Sequence, residues 1–419
     1  MKKVAIIGSG ISGLGTAYLL NPHFDITVYE KNDYLGGHSR TIDVPTGDTQ
    51  TAVDTGFIVF NNWNYPNLLG LFKELDVPYQ DSDMSFGVSI DDGWLEYGSS
   101  QMFAQKRNLL RPKYYGMLKD ILTFNKQALA YIERHENITL KQCLDELGMG
   151  EWFKNYYLLA MGAAIWSCPL ETIMEFPAKT FLRFFKNHGL LSVNNRPQWY
   201  TVTGGSREYV SRLTAGFEDK IKLSCGVTKI EKEGEQYRVT DLNGDEGIYD
   251  RLVFSCHADE AMTLLEGIGD SSAEQRDIIG QFDYQDNEII VHSDTSFMPK
   301  NKACWSSWVY LSEGKEDKKQ NVSLSYWMNN LQGLNASYPI IVTLNPARRP
   351  NEAAILDEVT FSHPVFDTKA IKAQSEIAAL QGQNNLWFCG AYQRYGFHED
   401  GLLSAVNVAK SMGVSIPWE

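Results

Sequence analysis

The run Gly8-Ser9-Gly10-Ile11-Ser12-Gly13 sets three glycines at the spacing that holds a pyrophosphate. Gly8 would make the tight turn, Gly10 would let backbone approach phosphate oxygens, and Gly13 would bring a helix close to a strand. The phosphates would then sit on the helix N-terminus, where unpaired N–H groups favour an anion. Glu30 stands 20 residues beyond Gly10, at the end of the strand-like run 25–30, where a carboxylate accepts hydrogen bonds from ribose hydroxyls. Ile11, Ser12 and Lys31 flank these groups and complete the first expected set of cofactor contacts. The alternative reading is a βαβ unit that holds no nucleotide.

The elements that must position this loop are legible in the apolar pattern. Residues 4–7 read as a fully buried parallel strand, and residues 11–20 as a helix whose small residues face it. The same stretch, behind Lys2 and Lys3, has the outline of a secretion signal, but three glycines interrupt it and no small-residue cleavage site follows cleanly.

Downstream, residues 31–41 read KNDYLGGHSRT, with a second glycine pair after the acidic strand end. Here the sequence resembles the FAD-binding amine oxidase and phytoene desaturase superfamily. In that family this loop passes the flavin pyrophosphate, so the resemblance gives Gly36, Gly37 and Arg40 that role. His38 stands where many members carry Arg. The resemblance extends to Thr55 and Gly56 in a glycine turn that Asp54 would position against the flavin, and to Val227, whose backbone would lie near the adenine.

The C-terminal region carries the same likeness. Residues 386–391 form a short apolar strand running into Gly390, and 395–405 open a helix of small and apolar residues. By resemblance, Gly401 and Leu402 would contact the flavin at that helix start, with Asp400 near the ribityl chain. Cys389 reads as a buried strand residue rather than a covalent flavin link. The stretches 161–169, 196–207, 326–332 and 361–366 resemble one branch of the superfamily, the predicted NAD/FAD-binding flavoproteins, over nearly the whole chain.

The fold class implied is α/β: a Rossmann-like FAD-binding domain of glutathione reductase type with an inserted α+β substrate domain of amine oxidase type. The FAD domain is expected to be discontinuous, over 1–61, 201–269 and 376–419, with the substrate domain over 62–200 and 270–375. Alternation predicts strands over 221–230, 236–239, 249–255, 287–292, 303–311, 322–327 and 340–344. Helix spacing around 114–122 and a cap at Thr139 predict helices in the first insertion.

Composition sets outer limits. With 419 residues, 43% hydrophobic and 21% charged, the chain has core enough for two or three domains. A net charge of −14 argues against general binding to nucleic acid or to an anionic membrane, because the average surface would repel both polyanions, so any such contact must use a local patch. Six dispersed cysteines show no metal-ligand spacing, so no metal is expected and a cytoplasmic setting fits. The oligomeric state is not legible. Residues 101–119 reverse the local charge: five Lys or Arg, no acid, and interleaved Phe, Leu and Tyr. A peripheral contact with the inner membrane face would use such a segment; a solvated helix start is the alternative.

Candidate chemistry is sparse. His398, beside Glu399 and Asp400, is the expected titratable group at the flavin, and Tyr392 and Tyr395 the expected site walls. Many amine oxidases carry a lysine on the sheet strand facing the flavin, and the nearest matching strand here offers Asn287. The aromatics Trp63, Trp166, Trp199, Tyr200, Trp305, Trp308, Tyr310, Tyr326 and Trp327 divide between core and the walls of an apolar pocket. The function expected is FAD-dependent desaturation of a hydrophobic substrate such as a fatty acyl chain. The alternatives are flavin-dependent double-bond isomerisation, amine oxidation, and a non-catalytic flavoprotein that binds a lipid or partner.

Overall fold

A computed structural model describes residues 1–135, 138–166, 173–192, 196–313 and 321–419. The side chain of Trp166, the end of the 161–169 stretch and residues 314–319 lie outside what is described.

Strand β1 (Lys3–Ile7) is buried over Val4, Ala5, Ile6 and Ile7, as an all-apolar run flanked on both sides should be. It pairs in parallel with β2 (Asp25–Tyr29) through the crossover helix α1 (Ile11–Leu20), and on its other side with the strand Arg251–Phe254. Ile221–Lys222 and Leu386–Phe388 complete the five-stranded parallel sheet. The expected single strand over 221–230 is broken. Ile221–Lys222 stays in the parallel sheet, Ser224 turns with φ 50°, and Val227–Glu233 begins a separate three-stranded antiparallel sheet. The break lets the backbone N–H of Ser224 and Cys225 bond to the carbonyls of Asn32 and Glu30, which ties this connection to the end of β2.

The two insertions meet in one seven-stranded sheet, where Phe86–Ile90 from the first pairs in parallel with Trp308–Glu313 from the second. Its outer strand is Ile355–Pro364, paired along Tyr284–His292. The helices Pro112–Ile132 and Ala178–Asn187 lie in the apolar cluster that covers one end of this sheet. Thr139 caps the helix Leu140–Glu146, its hydroxyl accepting from the N–H of Gln142.

The packing differs from the expected domain limits at two places. The helices Ala273–Ile279 and Thr368–Leu380 bury Ile279, Ala370, Ala373, Ile377 and Leu380 against Leu252, Phe254, Leu386 and Phe388 of the parallel sheet. Both begin in stretches expected to belong wholly to the substrate domain, and their apolar faces are what place them on the first sheet instead. Asp54, buried, joins the modules: it accepts from Thr41 Oγ1 (2.6 Å), the N–H of Ser206 (2.8 Å) and Nε2 of Gln332 (2.9 Å). Burial lifts its carboxyl to about 6, against the pull of those donors. Among the described residues no helix is long and apolar enough to cross a membrane.

Candidate functional site

A cavity of about 1520 Å³ opens beyond the carboxyl ends of β1 and β2 and runs to the seven-stranded sheet. At its near end the glycine loop is fixed by contact. A β-carbon on Gly13 would lie 1.9 Å from the carbonyl oxygen of Gly8, and one on Gly8, at φ 104°, would lie 2.9 Å from Ser255 backbone. Gly10 differs: its φ of −66° suits any residue, and a β-carbon there would meet nothing within 4 Å. The open space before Gly10 is therefore a cradle rather than a packing necessity. Helix α1 begins there with no side-chain cap and no acid in its first turn, so its first N–H groups remain to meet an anion.

The other expected cofactor residues gather on this cradle. The N–H of Gly36 donates to the carbonyl of Ser9 (3.0 Å), and a β-carbon on Gly37 would lie 3.3 Å from the Gly10 backbone. Glu30 holds the loop from the second strand, accepting from Ser9 N–H (3.0 Å), Ser9 Oγ (2.6 Å) and Asn32 N–H (2.8 Å). Lys31 is paired to Glu260 at 2.5 Å, and Arg40 to Asp357 at 2.7 Å with Thr55 Oγ1 at 3.3 Å. Both cations are thus already compensated by carboxylates. Ile11, Ser12, Thr55, Gly56, Val227 and Gly390 also line the cavity. Gly13 does not line it, because it packs on Gly8.

Three expected contacts turn elsewhere. Asp400 accepts from the N–H groups of Tyr395 (3.2 Å) and Phe397 (3.0 Å) and faces Arg394 at 3.3 Å, so its carboxylate caps the helix His398–Ser411. Gly401 rests against Ile11 and Ser12, where a β-carbon would lie 2.9 Å from Ile11 Cγ2, and Leu402 is buried over Gly15. The close packing of this helix on α1 decides their direction. The residues at its start that line the cavity are Phe397 and His398.

His398 is brought to the site, but not as a free acid or base. Its Nε2 lies 2.8 Å from the Tyr209 hydroxyl and its ring stacks on Phe57 at 3.8 Å. Burial depresses it to about 3, so it is neutral at pH 7. Tyr392 is a buried wall packed on Phe282, and Tyr395 stands half-exposed at the rim. Sequence reasoning missed Phe57, Tyr209 and a second pair of histidines. His257 and His363 face His38, with ring centroids at 6.2 and 5.1 Å. His38 Nε2 is buried without a hydrogen-bond partner among the described residues, and burial beside the other imidazoles pulls it down to about 3. No local spacing marks this convergence, since His38 lies in a loop, His257 just before the helix Ala258–Glu266 and His363 on the strand Ile355–Pro364.

The far half of the cavity is apolar and aromatic, with Met84, Phe86, Trp199, Ile289, Trp308, Tyr326, Val342 and Leu344 in its walls. Of the nine aromatics singled out above, Trp199, Trp308 and Tyr326 line it; Tyr310 is core, and Trp305 packs on Trp327. Asn287 also lines it and donates to His363 (2.7 Å), so the strand that carries a lysine in many amine oxidases presents an amide here. Lys31 is the one lysine among the described lining residues. Among the described residues no cluster of three or more His, Cys, Asp or Glu could hold a metal ion.

Known proteins resemble this chain in sequence or in fold. Residues 6–75 match the family model of the NAD(P)-binding Rossmann-like domain. A structure of a CLA-producing fatty acid isomerase from P. acnes superposes with a TM-score of 0.66 over 99% of both chains, at 15% identity. The fold is of the amine oxidase type. A flavin-containing amine oxidase A from Sus scrofa is 26% identical over 265 residues, 58% of this chain and 47% of the relative. The chain therefore spans about half the length of that relative. A 15-cis-phytoene desaturase from Synechococcus elongatus is 41% identical over 76 residues, 18% of this chain and 15% of the desaturase.

Two outcomes follow from this geometry. Gly10→Val should leave the unfolding midpoint of the ligand-free protein within a few degrees of wild type while abolishing the bound dinucleotide, whereas Gly13→Val should lose both. Thermal melts and chromatography of released nucleotide check this, and a Gly10→Val chain that retains its nucleotide would contradict the cradle. Second, His38, His398, His363 and His292 are held neutral to about 3, 3, 4 and 4, against 6.5 when unfolded. Their stabilisation is complete above pH 6.5 and is lost as pH falls toward 4, because the unfolded chain then binds more protons. The raised carboxyl of Asp54 opposes this below pH 6, so the comparison should be between variants. The midpoint of wild type should fall by about 2 °C more than that of His38→Phe between pH 7 and pH 5.

Proposed function

We infer that the protein is an FAD-dependent oxidoreductase that dehydrogenates an apolar acyl chain. The glycine cradle, the bare start of α1 and Glu30 fit a dinucleotide, and the second glycine pair and the amine oxidase-type fold favour FAD as that dinucleotide. Bound flavin supplies an acceptor for a hydride leaving a C–H bond. The observation that carries the substrate class is the far half of the cavity, walled by apolar and aromatic side chains. The two acids that line the cavity outside the dinucleotide end are spent elsewhere: Glu175 is exposed, and Asp367 caps the helix Thr368–Leu380.

The chain's own residues would bind, orient and keep out water. Trp308, Tyr326 and Phe86 would hold an extended chain by contact alone, which selects for length and shape rather than for a charged group. His398, fixed between Phe57 and Tyr209, would serve as a rigid wall, since an imidazole depressed to about 3 is too weak a base to draw a proton at neutral pH. The proton released with the hydride would leave to water, and a separate two-electron acceptor would complete the cycle. An amide at Asn287, in place of a lysine, disfavours amine oxidation. Redox-neutral isomerisation of a double bond is the second reading, favoured by the full-length likeness to the fatty acid isomerase.

Anaerobic mixing with unsaturated or methyl-branched acyl lipids should bleach the flavin absorbance, and mixing with amines should leave it unchanged. Bleaching by amines alone would overturn the reading. An unbleached flavin with a shifted double bond in the recovered lipid would replace desaturation by isomerisation, and an unaltered lipid would leave a binding protein.

A further inference from the structure

Residues 103–122 set five exposed large apolar side chains, Phe103, Leu109, Leu110, Tyr115 and Leu122, on the surface of one short segment. The segment is the short turn Lys106–Leu110 and the start of the helix Pro112–Ile132. It is held from beneath. Buried Asn108 donates to the Glu96 carbonyl (2.9 Å), the Tyr115 hydroxyl donates to the Leu109 carbonyl (3.1 Å), and Arg111 donates to the Trp94 carbonyl (2.8 Å) with its guanidinium 4.7 Å over the Trp94 ring. Leu110, 86% exposed, is thus presented on a braced turn rather than carried by a loose one.

The segment carries five cations and forms no ion pair among the described residues. Arg107 donates to the Gly93 carbonyl, and Arg111 meets carbonyls and a ring, so neither is neutralised by a carboxylate. Lys106, Lys113 and Lys119 form no ion pair among the described residues. The nearest acid in sequence, Asp120, accepts from the N–H of Gly150 (3.0 Å). On a chain of net charge −14 this is a local reversal of sign. A soluble polyanion would use the cations and gain nothing from Leu109 and Leu110; an anionic bilayer surface uses both, the cations at the headgroups and the apolar tips just below them.

We propose that the face formed by residues 103–122 docks the protein on a bilayer surface rich in anionic headgroups. It rests on the acyl-lipid reading only for its purpose, which is to bring the enzyme to its substrate. The docking itself is measured without catalysis. In sedimentation with vesicles, the wild-type protein should pellet with phosphatidylcholine vesicles containing phosphatidylglycerol and stay in solution with phosphatidylcholine alone. Neutralising three exposed cations (K106Q, K113Q and K119Q together) should weaken partition roughly a hundredfold, at about fivefold per charge. Leu110→Ser, with every charge kept, should weaken it severalfold. Unchanged unfolding midpoints would show both variants folded. Wild-type protein that ignores the anionic vesicles, pellets equally with neutral ones, or partitions like the triple variant would overturn the proposal. Flavin reduction by detergent-dispersed acyl lipid should be equal in wild type and triple variant. If neither is reduced while the vesicle results hold, the functional reading fails and the docking face stands.

Discussion

Helix α1 begins so close to β1 that a β-carbon on Gly13 would collide with the carbonyl of Gly8, and the site depends on that approach. It forces glycine at both positions, it aims the uncapped helix start at the carboxyl edge of the parallel sheet, and it leaves Gly10 facing open space. The neighbouring strands can then be continuous apolar runs, because sheet, α1 and the C-terminal helix enclose them. The same packing turns Gly401 and Leu402 toward α1, leaving Phe397 and His398 as the part of the C-terminal helix that reaches the cavity.

The cavity's cations are paired and its buried histidines neutral. Lys31 and Arg40 are committed to Glu260 and Asp357, and His38, His363 and His398 are held neutral by burial. An anionic ligand at the glycine loop is therefore met chiefly by backbone N–H groups, whose dipoles need no counter-charge and no reorganisation. Toward the other end the walls become apolar, and binding there depends on shape. This division suits the proposed pair of a charged dinucleotide at one end of the cavity and a separate apolar substrate at the other.

What could be read from the sequence was local. The glycine loop, Glu30 and the second glycine pair lie within 30 residues of one another, and their spacing alone fixes strand, turn and helix. The strands of the second sheet were legible as alternating runs, although their order was not, since it depends on pairing between segments more than 200 residues apart. The direction of Asp400 and Leu402 was lost for the same reason: a helix pattern shows that a face is buried, not which neighbour buries it. The His38, His257 and His363 group comes from three distant segments, and Phe57 and Tyr209 clamp His398 across 341 and 189 residues. No local spacing marks such a set. The break at Ser224 was hidden because the run 221–230 alternates on both sides of it.

The most direct test of this account is to denature the purified protein and identify what it releases. The cradle and the second glycine pair predict FAD at one molecule per chain, with the yellow absorbance lost from the protein and recovered in the supernatant. Release of a nicotinamide dinucleotide in its place, or of no dinucleotide from a chain that also fails to take up added FAD, would contradict it.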